Sequence, residues 1–301
     1  MTSTAASLRP AWDGVTRTIA CHSADLDGTH VPNSLPAIEA CVAAGAPRVE
    51  VDLRFLADDT MVVFHDSTLE PLAQGTGELG TLTFEDVVNV RYAQPPSPPL
   101  ARFEQVVDAV RTSETCLQVD LKLPVPFTRR RVDVLCEALE PLRDRAIVGS
   151  QNGANLMPLA ERGFKVAFDP TQHWHYWPGR PHGLELSPRR LGMHGLWDDA
   201  SIAHDPAVPG IAYVNARIRD LVALVPHAAE WMVDLHTLRH LLGIGVPLGH
   251  ALAEQGIDLA AWTIEDRGPA TTRARITELF DLGATTIIAR RAATVARYLH
   301  D

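Results

Sequence analysis

Short apolar or alternating runs recur along this chain, and most are followed by a stretch with apolar residues at helical spacing. The run 18–22 precedes a helical pattern over 34–45. The run 48–53 is joined by a second extended run, 61–65, and 116–122 precedes a helical pattern over 129–142. The rhythm continues with 146–149 before 153–162, 165–169, 230–236 before 237–254, 258–264 before 270–282, and 285–289 before 291–299. With 213–226 as the helix after the fifth strand, eight β/α units are complete. Alternating strands and helices require a parallel sheet with helices outside it, and eight units over 301 residues predict an α/β fold, a TIM-type (β/α)8 barrel forming a single domain over 1–301. A doubly wound dinucleotide fold would place Gly-x-Gly-x-x-Gly after the first strand, where Cys21-His22-Ser23-Ala24-Asp25 stands instead. Two stretches rich in turn residues, about 66–115 and 170–212, read as insertions after strands 2 and 5. Gln94-Pro95-Pro96-Ser97-Pro98-Pro99 cannot be regular structure.

Reactive groups in such a barrel belong at the C-terminal ends of strands, and these ends are polar. Strand one ends in His22, strand two carries Glu50 and Asp52, strand three carries Asp120 and Lys122, and the extra run ends in His65-Asp66. Residues i and i+2 share a side of a strand, so Glu50 pairs with Asp52 and Asp120 with Lys122. Three converging carboxylates repel one another and take up protons unless a hard divalent cation binds their oxygens, which points to Mg²⁺ or Ca²⁺ as the one cofactor rather than zinc. The alternative is a barrel-mouth network in which the acids pair with Lys122 and Arg48. His22 and His65 add two groups that titrate near neutrality, the equipment for moving one proton to a base and another to a leaving group.

Composition narrows the partners. With 27 basic and 37 acidic residues the net charge is −10, the wrong sign for tracking nucleic acid. That charge also repels an anionic substrate, so phosphate chemistry here requires a locally positive site, most simply a metal ion. The four cysteines, at 21, 41, 116 and 136, lie in apolar runs without Cys-x-x-Cys spacing and read as reduced core thiols. The first residues lack a signal-peptide pattern and no segment offers about 18 uninterrupted apolar residues, so a cytoplasmic protein without a transmembrane segment, acting on a small molecule, is expected.

The stretch from His22 to His65, with Asn33-Ser34-Leu35, Gly45-Ala46, Val49-Glu50-Val51-Asp52-Leu53 and Met61-Val62-Val63-Phe64-His65-Asp66, resembles the glycerophosphodiester phosphodiesterase family. The resemblance continues through Gly75-Thr76-Gly77, Pro99-Leu100, Val119-Asp120-Leu121-Lys122, Ser150 and Ala261-Trp262-Thr263-Ile264. It implies a barrel in which Glu50, Asp52 and Asp120 hold the metal, His22 and His65 act as acid and base, and Lys122 contacts phosphate, with Ser150 and Trp262 as further substrate-binding positions. The implied reaction is hydrolysis of a glycerophosphodiester to an alcohol and glycerol phosphate. Three departures stand out: the family's His-Arg-Gly is His22-Ser23-Ala24, its Pro-Glu-Asn is Val31-Pro32-Asn33, and its Thr-Asp after the last strand is Ala289-Arg290. The lost Arg and the Asp120-x-Lys122 pair look more like the related sphingomyelinase D branch, whose chemistry is a phospholipase D-like lyase reaction forming a cyclic phosphate. A barrel that binds a phosphorylated ligand with little turnover is the remaining alternative. With Ser23 in place of Arg, Lys122 is left as the fixed cation expected at the phosphate.

Two further groups are weaker candidates. His173-Trp174-His175-Tyr176-Trp177 is either an aromatic cover for a substrate or the packing of a long loop. Asp234 and His236 are expected on one face of strand six, near the mouth.

Overall fold

The structure, a computed structural model, describes residues 7–123, 125–176 and 191–300. Eight strands form its centre: β1 (Thr18–Cys21), β2 (Arg48–Phe55), β3 (Cys116–Leu121), β4 (Ala146–Ser150), β5 (Lys165–Phe168), β6 (Ala228–Asp234), β7 (Asp258–Ile264) and β8 (Thr286–Ala289). All eight neighbouring pairs are parallel. The ring closes where Ile287 of β8 pairs with Ile19 of β1 and where Cys21 of β1 pairs with Val49 of β2. This is the expected (β/α)8 barrel. An antiparallel flap, Met61–Val63 and then Ala101–Arg102, extends β2 outside the ring.

Strand periodicity explains the packing. Val49, Val51 and Leu53 of β2 point out and are buried under the helices, while the alternate positions Arg48, Glu50 and Asp52 point into the barrel. The interior layer above Arg48 is filled by Ala20, Ile147, Ala167, Met232, Ala260 and Ile288. Gly149 makes room for the largest of these, because a Cβ there would lie 2.4 Å from Met232 Cε.

The outer ring comprises α1 (Leu35–Ala43), α2 (Phe103–Val110), α3 (Arg129–Leu139), α4 (Gly153–Ala160), α5 (Gly210–Leu224), α6 (Leu235–Gly243), α7 (Pro269–Asp281) and α8 (Ala292–Arg297). Several starts are set by N-cap side chains. Ser34 accepts from the Ala37 N–H, Thr128 from Arg131, Asn152 from Ala154 and Asp234 from Thr237.

Three boundaries differ from the sequence reading. The stretch 66–115 is not all excursion, since its end is α2, whose Phe103, Val106, Val107 and Val110 bury one face. The helical pattern over 237–254 breaks after Gly243 and resumes at Leu248–Ala253, because Gly245 has φ +86° and Pro247 lacks an N–H. Strand six ends at Asp234, so His236 lies in the first turn of α6 and shares no strand face with it.

At the lower end of the barrel, Arg48 Nη1 and Nη2 donate to the two carboxylate oxygens of Glu230 at 2.8 and 2.6 Å, and Arg48 Nε donates to Gln118 Oε1 at 2.8 Å. Arg48 therefore does not serve the acids of the mouth. Both partners of the pair are buried, so Arg48→Met strands the Glu230 carboxylate. It is expected to cost about 3–5 kcal/mol of stability in denaturant unfolding. A loss below about 1 kcal/mol would show that the pair does not brace the barrel.

Candidate active site

The register of β2 against β3 sets Glu50 opposite Gln118 and Asp52 opposite Asp120. Because both strands point these positions inward, the carboxylates of Glu50, Asp52 and Asp120 converge, each offering an oxygen within 4.8 Å of the others. Glu50 and Asp52 are buried and Asp120 is half-buried. Lys122 follows on β3's inward face, its Nζ donating to Asp120 Oδ2 at 2.6 Å and lying 3.1 Å from Asp52 Oδ1.

The β1–α1 loop reaches over this cluster. Ser23 N–H donates to Glu50 Oε2 at 2.6 Å, and Ser23 Oγ and Asn33 Nδ2 donate to Asp52 Oδ2 at 3.1 and 2.5 Å. Asn33 Oδ1 in turn accepts the Asp52 N–H at 3.1 Å. Ser23, Ala24 and Asn33 all hold positive φ, so the loop keeps a sparsely populated backbone in order to make these contacts.

Burial, then the charges of Asp52 and Asp120, push the Glu50 carboxyl well above the usual carboxylate range. Burial opposes ionisation of Asp52 as well, but Lys122, the two histidines and Asn33 hold its carboxyl well below that range. One ammonium thus faces three carboxylates, and the buried Asp52 Oδ1, though ion-paired with Lys122, accepts no hydrogen bond among the described residues. An all-oxygen donor set short of positive charge fits a hard divalent cation.

His22 follows β1 and is half-buried, its Nε2 4.0 Å from Glu50 Oε2 and its Nδ1 without a hydrogen-bond partner among the described residues. Burial lowers its pKa to about 4. His65 follows the flap strand and is exposed; its Nδ1 lies 2.7 Å from Asp66 Oδ1, which fixes the ring orientation. Both histidines line one cavity of about 460 Å³ together with Glu50, Asp120, Lys122 and Trp262. Asp52, fully buried, does not line it and meets the cavity's residues through Lys122 and the carboxylate cluster.

Ser150 lies elsewhere. Strand alternation turns it outward between the inward Gly149 and Gln151, and its buried Oγ accepts the Asn152 N–H at 3.0 Å, so Gln151 lines the cavity in its place. Trp174 and His175 are buried in the excursion, Trp174 Nε1 donating to the Tyr213 hydroxyl at 3.1 Å, and Tyr176 stacks on His240. Packing, not a cover, accounts for them; Trp177 lies outside the described residues.

Three residues, Arg54, Asp169 and Gln172, complete the mouth without having been singled out. Arg54 continues the inward series Glu50, Asp52, and the same i+2 spacing would have found it; its guanidinium donates to the carbonyls of His65 and Lys122. Asp169 and Gln172 line the cavity at the end of β5, and burial raises the Asp169 carboxyl to about 7. Arg290, after β8, lines the cavity as well, so Lys122 is not the lone cation there.

A model described as the glycerophosphoryl diester phosphodiesterase family matches residues 26–140, the segment that carries Glu50, Asp52, His65, Asp120 and Lys122. Glycerophosphodiester phosphodiesterase 1 of Bos taurus is 47% identical over 55 residues, 18% of this chain and 17% of that protein. The Homo sapiens protein of that name is 42% identical over 55 residues, again 17% of its length. The matched stretch therefore spans about a sixth of these curated relatives. Over the whole chain the fold is that of a putative glycerophosphoryl diester phosphodiesterase from Silicibacter pomeroyi (TM-score 0.68, 14% identity, 99% of this chain and 97% of that one). It is equally that of an Oleispira antarctica phosphodiesterase solved with the product sn-glycerol-3-phosphate (TM-score 0.64, 12% identity, 99% of each chain). The segment 26–140 is thus similar to the glycerophosphoryl diester phosphodiesterase family, and the barrel that displays it has the fold of solved structures that carry that description.

Proposed function

We propose that this protein is a metal-dependent phosphodiesterase that hydrolyses a glycerophosphodiester to an alcohol and glycerol phosphate. The observation that carries the reading is the meeting of two histidines with three carboxylates and Lys122 around one cavity. Glu50, Asp52 and Asp120 would hold one divalent cation, Mg²⁺ or Ca²⁺, which supplies neutralisation of phosphate charge when bound. Lys122, on the same strand face as Asp120, faces the anion beside them.

The histidines divide the proton work. One removes a proton from the attacking oxygen as the new P–O bond forms, and the other delivers a proton to the departing ester oxygen as the old P–O bond breaks. Asp66 holds His65 in orientation for either task. Trp262 forms an apolar wall beside the reacting centre.

Purified protein incubated with glycerophosphodiesters and lysophospholipids should yield glycerol phosphate by phosphorus NMR, with turnover abolished by EDTA and restored by Mg²⁺ or Ca²⁺. Unchanged turnover after exhaustive chelation would overturn the metal-dependent reading. A cyclic phosphate as end product would reassign the reaction to internal attack by a substrate hydroxyl.

A further inference from the structure

The cavity above the carboxylates has a neighbour at the barrel mouth. This second cavity, of about 540 Å³, opens on the other side of the histidines and is walled by Val31, Pro71, Leu72 and Tyr92 of the surrounding loops. The two cavities share three lining residues, His22, His65 and Arg290. A phosphodiester has a tetrahedral anionic centre with two divergent arms, so a junction between two cavities suits its shape.

The cations at this junction differ in how far they are committed. The Lys122 ammonium is engaged by Asp120 and Asp52. The Arg54 guanidinium is engaged by two backbone carbonyls, at 3.0 and 2.6 Å to His65 and 2.7 Å to Lys122. Arg290 is exposed, and among the described residues its guanidinium makes no hydrogen bond or ion pair. Its backbone is anchored nonetheless, the N–H donating to Ile264 O at 3.0 Å. An anchored residue whose planar fork of donors is unspent is suited to bidentate capture of phosphate oxygens.

We propose that Arg290 is the phosphate-docking residue, holding the diester at the junction so that one ester arm enters each cavity. This rests on the phosphodiesterase reading and adds to it the residue that captures the anion. Lys122, tied to the metal-binding acids, acts on the reacting phosphate, whereas Arg290 acts on binding.

The test combines diester kinetics with calorimetric binding of glycerol 3-phosphate to the metal-loaded protein, for wild type, Arg290→Gln and Arg290→Lys. Arg290→Gln is expected to weaken glycerol 3-phosphate binding and raise KM by about 10- to 100-fold each, with kcat within a few-fold of wild type and an unchanged melting temperature. Arg290→Lys should recover part of the loss, because it restores the charge without the fork. The wild-type affinity should fall with added salt more steeply than that of Arg290→Gln. If Arg290→Gln binds glycerol 3-phosphate and diester as tightly as wild type, the docking role is overturned while the phosphodiesterase reading stands. A fall in kcat with KM and affinity unchanged also overturns docking. A wild type that cleaves no diester and binds no glycerol 3-phosphate overturns both.

Discussion

Replacing Glu50 with Gln is expected to lower diester hydrolysis by more than about 100-fold and, at the same time, to stabilise the metal-free protein. The first effect follows from removing a proposed metal ligand, which should cost at least as much as the roughly 100-fold seen when outer-shell partners of a metal site are lost. The second follows from charge. Glu50 is buried beside two other carboxylates, and Gln keeps an oxygen to accept the Ser23 N–H while removing one of the like charges. Relief of that repulsion should raise stability in EDTA by about 1 kcal/mol or more. Wild type should instead gain about 2.7 kcal/mol when the cation is supplied at about 100 times its Kd, a gain that Glu50→Gln largely loses. Melting curves with and without cation read both signs. A Glu50→Gln protein that is less stable than wild type in EDTA, yet keeps the metal response, would remove Glu50 from the proposed ligand set.

His22→Ala and His65→Ala are each expected to cut kcat by about 100-fold or more, with KM changed far less, because proton transfer is a transition-state service. The double variant should be little worse than either single one, since losing either transfer already stalls the shared step. The two positions differ in what else they touch. His22 is half-buried beside Glu50, so its variant calls for a metal-dependent melting curve to show that the carboxylates are still loaded. His65 is exposed and, among the described residues, its ring pairs with Asp66 alone, so its removal should leave that curve unchanged. Near-wild-type kcat in either single variant would exclude that residue from the acid–base pair.

Much of the site was legible because strand geometry is local. Once 48–53 and 116–122 were read as parallel neighbours, period two alone put Glu50, Asp52, Asp120 and Lys122 on inward faces, and the observed register confirms the pairing. What the sequence did not disclose depends on three-dimensional closure. Arg48 was an equally good candidate partner for the acids until Glu230, 182 residues away, was seen to take both of its terminal nitrogens. Ser23 and Asn33 themselves hold positive φ without being Gly, so their hydrogen bonds to Glu50 and Asp52 could not be read from spacing. Ser150 came from the resemblance alone, and strand alternation turns it away from the cavity, whereas α2 was hidden by the proline-rich segment before it, although its i, i+3, i+4, i+7 pattern was present.

The segment between the flap strands carries an apolar core of its own. Leu69, Ala73, Leu79, Val87 and Tyr92 cluster with Val31, Leu56, Val62 and Phe64, apart from the residues packed between barrel and helices. A unit with a separate core has its own opening free energy, so its amides should exchange with solvent through local opening without requiring the barrel to melt. The proposed metal ligands hang from the barrel, whereas Pro71, Leu72 and Tyr92 of the second cavity belong to this unit. Sequence drift and breathing in the flap therefore reshape the space available to one arm of a substrate while leaving the carboxylates in register, and chemistry and substrate range become separately heritable traits of one chain.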